Sequence, residues 1–212
     1  MIRVLVVDDH PLLRKGLCET AAETTDIQVV GEAADGAAAL QWLDQHPCDV
    51  VTLDLSLPGL HGLDVLEQIR ARHKGVNVLV MTMHAEEHYA ARAFKLGAAG
   101  FLPKDAPPAT FIEAVRKIAS GGRYIPPDLA ERLLFRDHRA DRPPHEILSH
   151  REFMVLKMIG AGKAPREIGE ALAISVKTVS TYRARILEKL HKKTGADLVK
   201  YCIEHHLLEE QG

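Results

Sequence analysis

The chain has 212 residues, 46% of them hydrophobic and 26% charged, with a net charge of −2. That is the composition of an ordinary soluble protein, long enough for one large domain or two small ones. No apolar run reaches the length of a membrane span, and a strand pattern begins at once, so no signal peptide is expected. Cys18, Cys48 and Cys202 have neither metal-ligand spacing nor an even count, which argues against a disulfide framework and for a reducing, cytoplasmic setting.

The first half alternates strand and helix patterns. Strands are expected near residues 2–7, 27–32, 49–54, 76–82 and 100–103, and helices near 11–25, 35–46, 61–74, 86–97 and 108–120. Five such units predict an α/β, doubly wound, five-stranded parallel sheet with helices on both faces. Ligands of such sheets bind beyond the carboxyl ends of the strands. Val4-Leu5-Val6-Val7 ends there on Asp8-Asp9, and Val50-Val51-Thr52-Leu53 ends on Asp54 before Pro58-Gly59 breaks the chain. Buried carboxylates need a neutralising cation, and three of them suit a hard divalent ion, Mg²⁺ above all. The fourth strand closes on Thr82 and the fifth on Lys104, a hydroxyl and an ammonium that can both bind a phosphoryl oxygen. Taken singly, such an acid often only caps a helix or starts a turn. The ordered set of acid pair, acid, hydroxyl and lysine is more specific.

Asp8-Asp9, Asp54, Thr82 and Lys104 resemble the receiver domain of two-component response regulators, which is flavodoxin-like. The resemblance covers about the first 120 residues. It implies that Asp54 accepts a phosphoryl group from a sensor histidine kinase. It further implies Mg²⁺ on Asp9, Asp54 and the Ser56 backbone carbonyl, with Asp8 acting through water. Thr82 and Lys104 would hold the phosphoryl oxygens. Phe101 stands where receivers carry an aromatic that changes rotamer with Thr82; the plainer reading is a half-buried strand aromatic. His84 stands where receivers set phosphoryl lifetime. Pro103 departs from the pattern, preceding the lysine rather than following it.

Gly121-Gly122 ends the receiver pattern. Asp128 to Phe135 reads as one short helix capped by Asp128, and the charged, proline-bearing stretch 136–144 reads as a linker. The expected organisation is a receiver at 1–121, a linker with a short helix at 122–145, and a third region at 146–212. Charge follows this division, with 11 basic and 16 acidic residues in the first part and 11 and 9 in the last.

After residue 145 all strand signal is lost. Ser149 with Glu152 is a capping-box pattern opening a first helix, Gly160-Ala161-Gly162 stops it, and Pro165 starts a second. Ser175 caps a third, from Val176 to about His191. Val179, Ile186 and Leu190 fall on one line of that helix, and Lys177, Thr181, Ala184 and Glu188 on the other side. Residues 175–193 carry six Lys and Arg against Glu188 alone, a footprint suited to nucleic acid as well as to a solvated face. A short turn between two helices, the second basic and exposed, is a helix-turn-helix pattern.

Leu148-Ser149-His150-Arg151-Glu152, Glu167-Ile168-Gly169 and Ser175-Val176-Lys177-Thr178-Val179 resemble the LuxR-type DNA-binding domain. With a receiver in front, the whole resembles the NarL/FixJ class. That resemblance implies an all-α, four-helix second domain, a homodimer favoured by phosphorylation, and a recognition helix entering the major groove of double-stranded promoter DNA. Position on that helix puts Ser180, Thr181 and Ala184 nearest the base edges. Lys177, Thr178, Tyr182, Arg183 and Lys189 are placed for phosphates. The fourth helix, near Asp197 to Leu207, would help dimerise.

The expected function is a phosphorylation-controlled transcriptional regulator, not an enzyme beyond slow self-catalysed phosphotransfer and dephosphorylation, and not a membrane partner. A phosphohydrolase using Asp54 as nucleophile would need an acid or base two residues on, where Ser56 stands. A LuxR-type regulator gated by a small ligand would not need the acid, threonine and lysine rim.

Overall fold

The computed structural model describes residues 1–83, 87–135, 144–172 and 174–208. His84 and most of the 136–144 stretch lie outside these. The chain divides into two compact units, Met1–Asp137 and His138–Gly212.

In the first unit the order is β1 (Ile2–Val7), α1 (Pro11–Ala22), β2 (Ile27–Ala33), α2 (Gly36–Leu43), β3 (Val50–Asp54), α3 (Gly62–Arg72), β4 (Asn77–Thr82), α4 (Glu87–Lys95), β5 (Gly100–Pro103), α5 (Pro108–Ala119) and α6 (Pro127–Phe135). The strands form one sheet in the order β2-β1-β3-β4-β5, parallel throughout. This is the doubly wound sheet expected. Val4 to Val7 and all of β3 are buried, as strands covered on both faces require. One apolar layer joins α2, α3, α4 and Leu129 of α6 to the sheet; the other holds α1 and α5. Helix starts are chemically marked. Pro11 and Pro108 open α1 and α5, where a missing N–H costs nothing. Asp35 caps α2 by accepting from Ala38 N–H at 2.8 Å.

Beyond α5 the chain returns to the outer side of β5. Phe101 N–H donates to the Tyr124 carbonyl at 3.0 Å, and Tyr124 N–H to that of Ala99 at 3.1 Å. α6 then sinks Leu129 into the core, with Ile125 and Leu133 packed beside it. It starts at Pro127, not at the residue after Asp128. Asp128 therefore lies in the first turn, 3.4 Å from Arg132, rather than at the cap.

The second unit is helical among its described residues: a 3₁₀ turn at Pro144–Ile147, then α7 (His150–Gly160), α8 (Pro165–Ala171), α9 (Val176–Lys189) and α10 (Gly195–Glu204). The capping box at α7 is formed, with Glu152 N–H to Ser149 Oγ at 3.3 Å and Ser149 N–H to Glu152 Oε2 at 2.7 Å. Phe153, Leu156, Ile168, Val179, Ile186, Leu198 and Tyr201 make the shared core.

Candidate functional site

The strand ends of the first unit bring the sequence-marked residues together. β3 closes on Asp54, whose side chain is 1% exposed, and the next strand over closes on buried Thr82. Asp8 follows β1, held by its own N–H to the Ala33 carbonyl at 3.1 Å and by Arg14 Nη1 to its carbonyl at 2.7 Å. Lys104 follows β5, with its N–H on the Thr82 carbonyl at 3.0 Å. Pro103 before it is accommodated as the last strand residue opposite Thr82, where a sheet edge tolerates the missing donor.

Lys104 Nζ lies 2.7 Å from Asp8 Oδ2 and 2.8 Å from Asp54 Oδ2, with all three side chains at least 97% buried. Burial works against the ammonium charge, yet the Asp54 and Asp8 carboxylates outweigh it and hold the Lys104 pKa above the usual lysine value. Apart from the Lys104 ammonium at Asp54 and the His10 ring at Asp9, the two Asp54 oxygens and Asp9 Oδ1 meet no hydrogen-bond donor among the described residues. Two carboxylates with unmet acceptor capacity, with Asp8 beside them, are a fitting donor set for a hard divalent cation. Asp8, Asp9, His10 and Asp54 each offer an atom within 4.8 Å of the others. His10 was missed by the sequence reading; its place directly after Asp8-Asp9 was the available signal.

Ser56 is exposed two residues beyond Asp54. The turn that carries it is pinned by Gly62 N–H on the Leu55 carbonyl at 3.0 Å. A Cβ at Gly62 would stand 2.2 Å from the Asp54 carbonyl oxygen and 2.6 Å from Leu55 Cα, so α3 can approach the strand end only with glycine there. Phe101 is fully buried in the layer that also holds Ala90, Ala93 and Leu129. The expectation of a half-buried aromatic fails because α6 covers that side.

In the second unit, α8 and α9 meet across a tight turn in which Ile174 N–H reaches the Gly169 carbonyl at 2.9 Å. A Cβ at Gly169 would lie 2.8 Å from the Ile174 carbonyl oxygen. Ser175 caps α9 by accepting from Thr178 N–H at 3.0 Å. Val179 and Ile186 face the core, while Lys177, Ser180, Thr181, Arg183, Ala184 and Arg185 are exposed. Ser180 and Thr181 each donate their hydroxyl back to the helix, to the Val176 and Lys177 carbonyls at 3.0 Å. Thr178 Oγ1 is 2.8 Å from the Ser175 hydroxyl, and Tyr182 is packed partly into the core. Lys189 is differently employed: its Nζ is 2.6 Å from Oε2 of buried Glu152. Burial opposes the Glu152 charge, but Lys189 and Ser149 together hold its pKa below the usual carboxylate value.

Residues 4–116 match the family model of the response regulator receiver domain, and residues 146–202 that of the bacterial regulatory proteins of the LuxR family. The chain therefore belongs to the response regulators, as a receiver joined to a LuxR-type helix-turn-helix domain. Among its relatives, it is 37% identical to the response regulator UvrY of Escherichia coli over 209 residues, 98% of this chain and 96% of that one. It is 35% identical to the response regulator GacA of Pseudomonas viridiflava over 211 residues, 99% of both. A crystal structure of a LuxR-family two-component response regulator from Aurantimonas sp. matches with a TM-score of 0.60 at 34% identity, covering 62% of this chain and 94% of that one.

Proposed function

We propose that Asp54 is the phosphoacceptor of a kinase-driven switch controlling DNA binding by the second unit. The observation that carries this reading is a carboxylate 1% exposed whose oxygens meet no donor among the described residues other than a buried lysine. In the transfer step an Asp54 oxygen attacks phosphorus, an O–P bond forms, and the N–P bond of a kinase phosphohistidine breaks. Lys104 and Thr82 stand at the adjoining strand ends to bind the phosphoryl oxygens. Asp9 and Asp54, with Asp8 and the Ser56 carbonyl, would hold Mg²⁺, which when bound neutralises the charge gathered on the phosphoryl group.

Full-length protein should take up phosphate from acetyl phosphate with Mg²⁺, and Asp54→Asn should not. Substantial labelling of the Asn variant would refute the assignment.

The domain roles follow as part of the same proposal: a receiver over 1–121, a connecting stretch over 122–145 and a DNA reader over 146–212. The recognition helix is α9. Lys177 and Arg183 are placed for phosphates, with Thr178 and Tyr182 beside them. Ser180, Thr181 and Ala184 are too short for the bidentate grip that arginine makes on guanine, so base reading rests on hydroxyl and methyl contacts. Lys189 reaches phosphate only by leaving Glu152. Phosphorylation would favour a homodimer, with Thr82 and Phe101 shifting together. Moving such a balance from 1:99 to 99:1 takes about 5.5 kcal/mol. Sedimentation with and without a phosphoryl mimic measures it, and identical mass and shape in both states would count against the switch.

A further inference from the structure

We infer that the rim of the first unit also binds a borderline transition cation such as Zn²⁺ or Ni²⁺, with His10 as its nitrogen ligand beside Asp9 and Asp54. This rests on the reading of the pocket as a cation site, and changes which cations it takes.

The His10 ring is delivered by a short, constrained tether. Its backbone N–H donates to Asp8 Oδ1 at 2.8 Å, and Pro11 follows it at the start of α1, which keeps His10 extended. Nδ1 then lies 2.7 Å from Asp9 Oδ1 and 3.2 Å from Asp8 Oδ1, while the side chain is 63% exposed. Opposite stands buried Asp54, whose Oδ1 meets no hydrogen-bond donor among the described residues and whose Oδ2 faces only the Lys104 ammonium. The ligand atoms all lie within 4.8 Å of one another. Two ligands at about 2.0–2.2 Å on a tetrahedral zinc ion stand about 3.4 Å apart. The widest pair therefore has to close by at most about 1.4 Å, which rotation of the exposed His10 and partly exposed Asp9 side chains can supply.

Lys104 is paired with Asp8 and with Asp54 Oδ2, which leaves Asp54 Oδ1, the Asp9 carboxylate and the His10 nitrogen for the ion, with the exposed His10 side open toward solvent. Mg²⁺ gains little from an imidazole, whereas affinity along the transition series rises with a nitrogen donor. A plainer role is that the ring only steadies the Asp9 carboxylate. Steadying would help every cation by the same factor; ligation would help transition cations selectively.

Calorimetric titration of the full chain with ZnCl₂, NiCl₂ and MgCl₂ at one fixed pH separates these, using wild type, His10→Gln and Asp9→Ala. The chain carries 12 histidines, so the diagnostic is one tight event that both substitutions weaken. The ratio of Zn²⁺ to Mg²⁺ affinity should fall roughly tenfold or more in His10→Gln. With Cu²⁺ as a spectroscopic probe, a nitrogen hyperfine signal should be present in wild type and lost in that variant. Circular dichroism checks that the variants are folded. An unchanged ratio, or a tight event surviving in both variants, overturns the inference. Failure of Mg²⁺-dependent labelling at Asp54 in wild type would instead overturn the phosphoacceptor reading.

Discussion

Replacing Lys104 by methionine keeps the length and the apolar stem and deletes one charge. In the folded protein that charge lies 2.7 Å from Asp8 and 2.8 Å from Asp54, and both carboxylates are almost fully buried. The variant leaves two buried anions with no cation between them. Removing one side of a buried pair costs roughly 3–5 kcal/mol, a large share of the ~5–15 kcal/mol that stabilises a typical domain. Trp42 is the only tryptophan and lies in α2, so urea unfolding followed by its fluorescence reports on this unit. Mg²⁺ should stabilise the variant more than the wild type, because a cation bound only by the folded state replaces the missing charge. The pH dependence has a fixed sign. The Lys104 pKa is raised on folding, so its contribution is complete below the ordinary lysine pKa of about 10.4 and is lost as pH climbs through the higher folded value. Wild type and variant should converge only in that alkaline range. A variant within about 0.5 kcal/mol of wild type in metal-free buffer at neutral pH would fall inside the ordinary range for surface changes. Such a result, or equal stabilisation of both by Mg²⁺, would refute the reasoning.

The Glu152–Lys189 pair should couple α7 to α9 by about 1–2 kcal/mol, the lower side for a charged hydrogen bond because Lys189 is partly exposed. Hydrogen exchange of α7 amides through a cycle of Glu152→Gln and Lys189→Met measures it, and no coupling would contradict the pairing. Because the Glu152 pKa is depressed, this stability should be present at neutral pH and lost as pH falls below the ordinary glutamate value of about 4.3, through its lower folded pKa. Gly62→Ala should cost about 1–3 kcal/mol, since its Cβ meets backbone that cannot swing away. Gly75→Ala, with nothing within 4 Å of its Cβ, is the control; equal melting of the two would dismiss the close approach. Lys177→Ala should weaken target and scrambled duplexes alike and lower the salt slope by about one unit, while Thr181→Ala should mainly erode site preference. Lost preference with intact scrambled-site binding in Lys177→Ala would reverse those roles.

The strand ends at Asp8, Asp54 and Thr82 were legible because buried parallel strands are written as unbroken apolar runs, and these runs stop on a polar residue. Helix α9 was legible for a similar reason: Ser175, Val179 and Ile186 carry both its start and its inward face. Three things were not. The pairing of Lys189 with Glu152 joins residues 37 apart in sequence, and no local pattern encodes it. The full burial of Phe101 depends on Leu129, which arrives from a segment read as linker. His10 went unread, because only the folded turn after β1 brings its Nδ1 within 2.7 Å of Asp9 Oδ1.

The helix α6 matters for anyone who would cut this protein in two. Tyr124 completes the hydrogen bonding of Phe101 and Ala99, and Leu129 fills the layer beneath α4. A fragment ending at Gly121 would keep Asp8, Asp9, Asp54, Thr82 and Lys104 yet strip the outer side of β5 and uncover an apolar hollow. Such a piece invites self-association through surface that is never bare in the whole chain. Dimers measured on it would report the scissors, whereas a fragment carried through to Asp137 would retain its own lid.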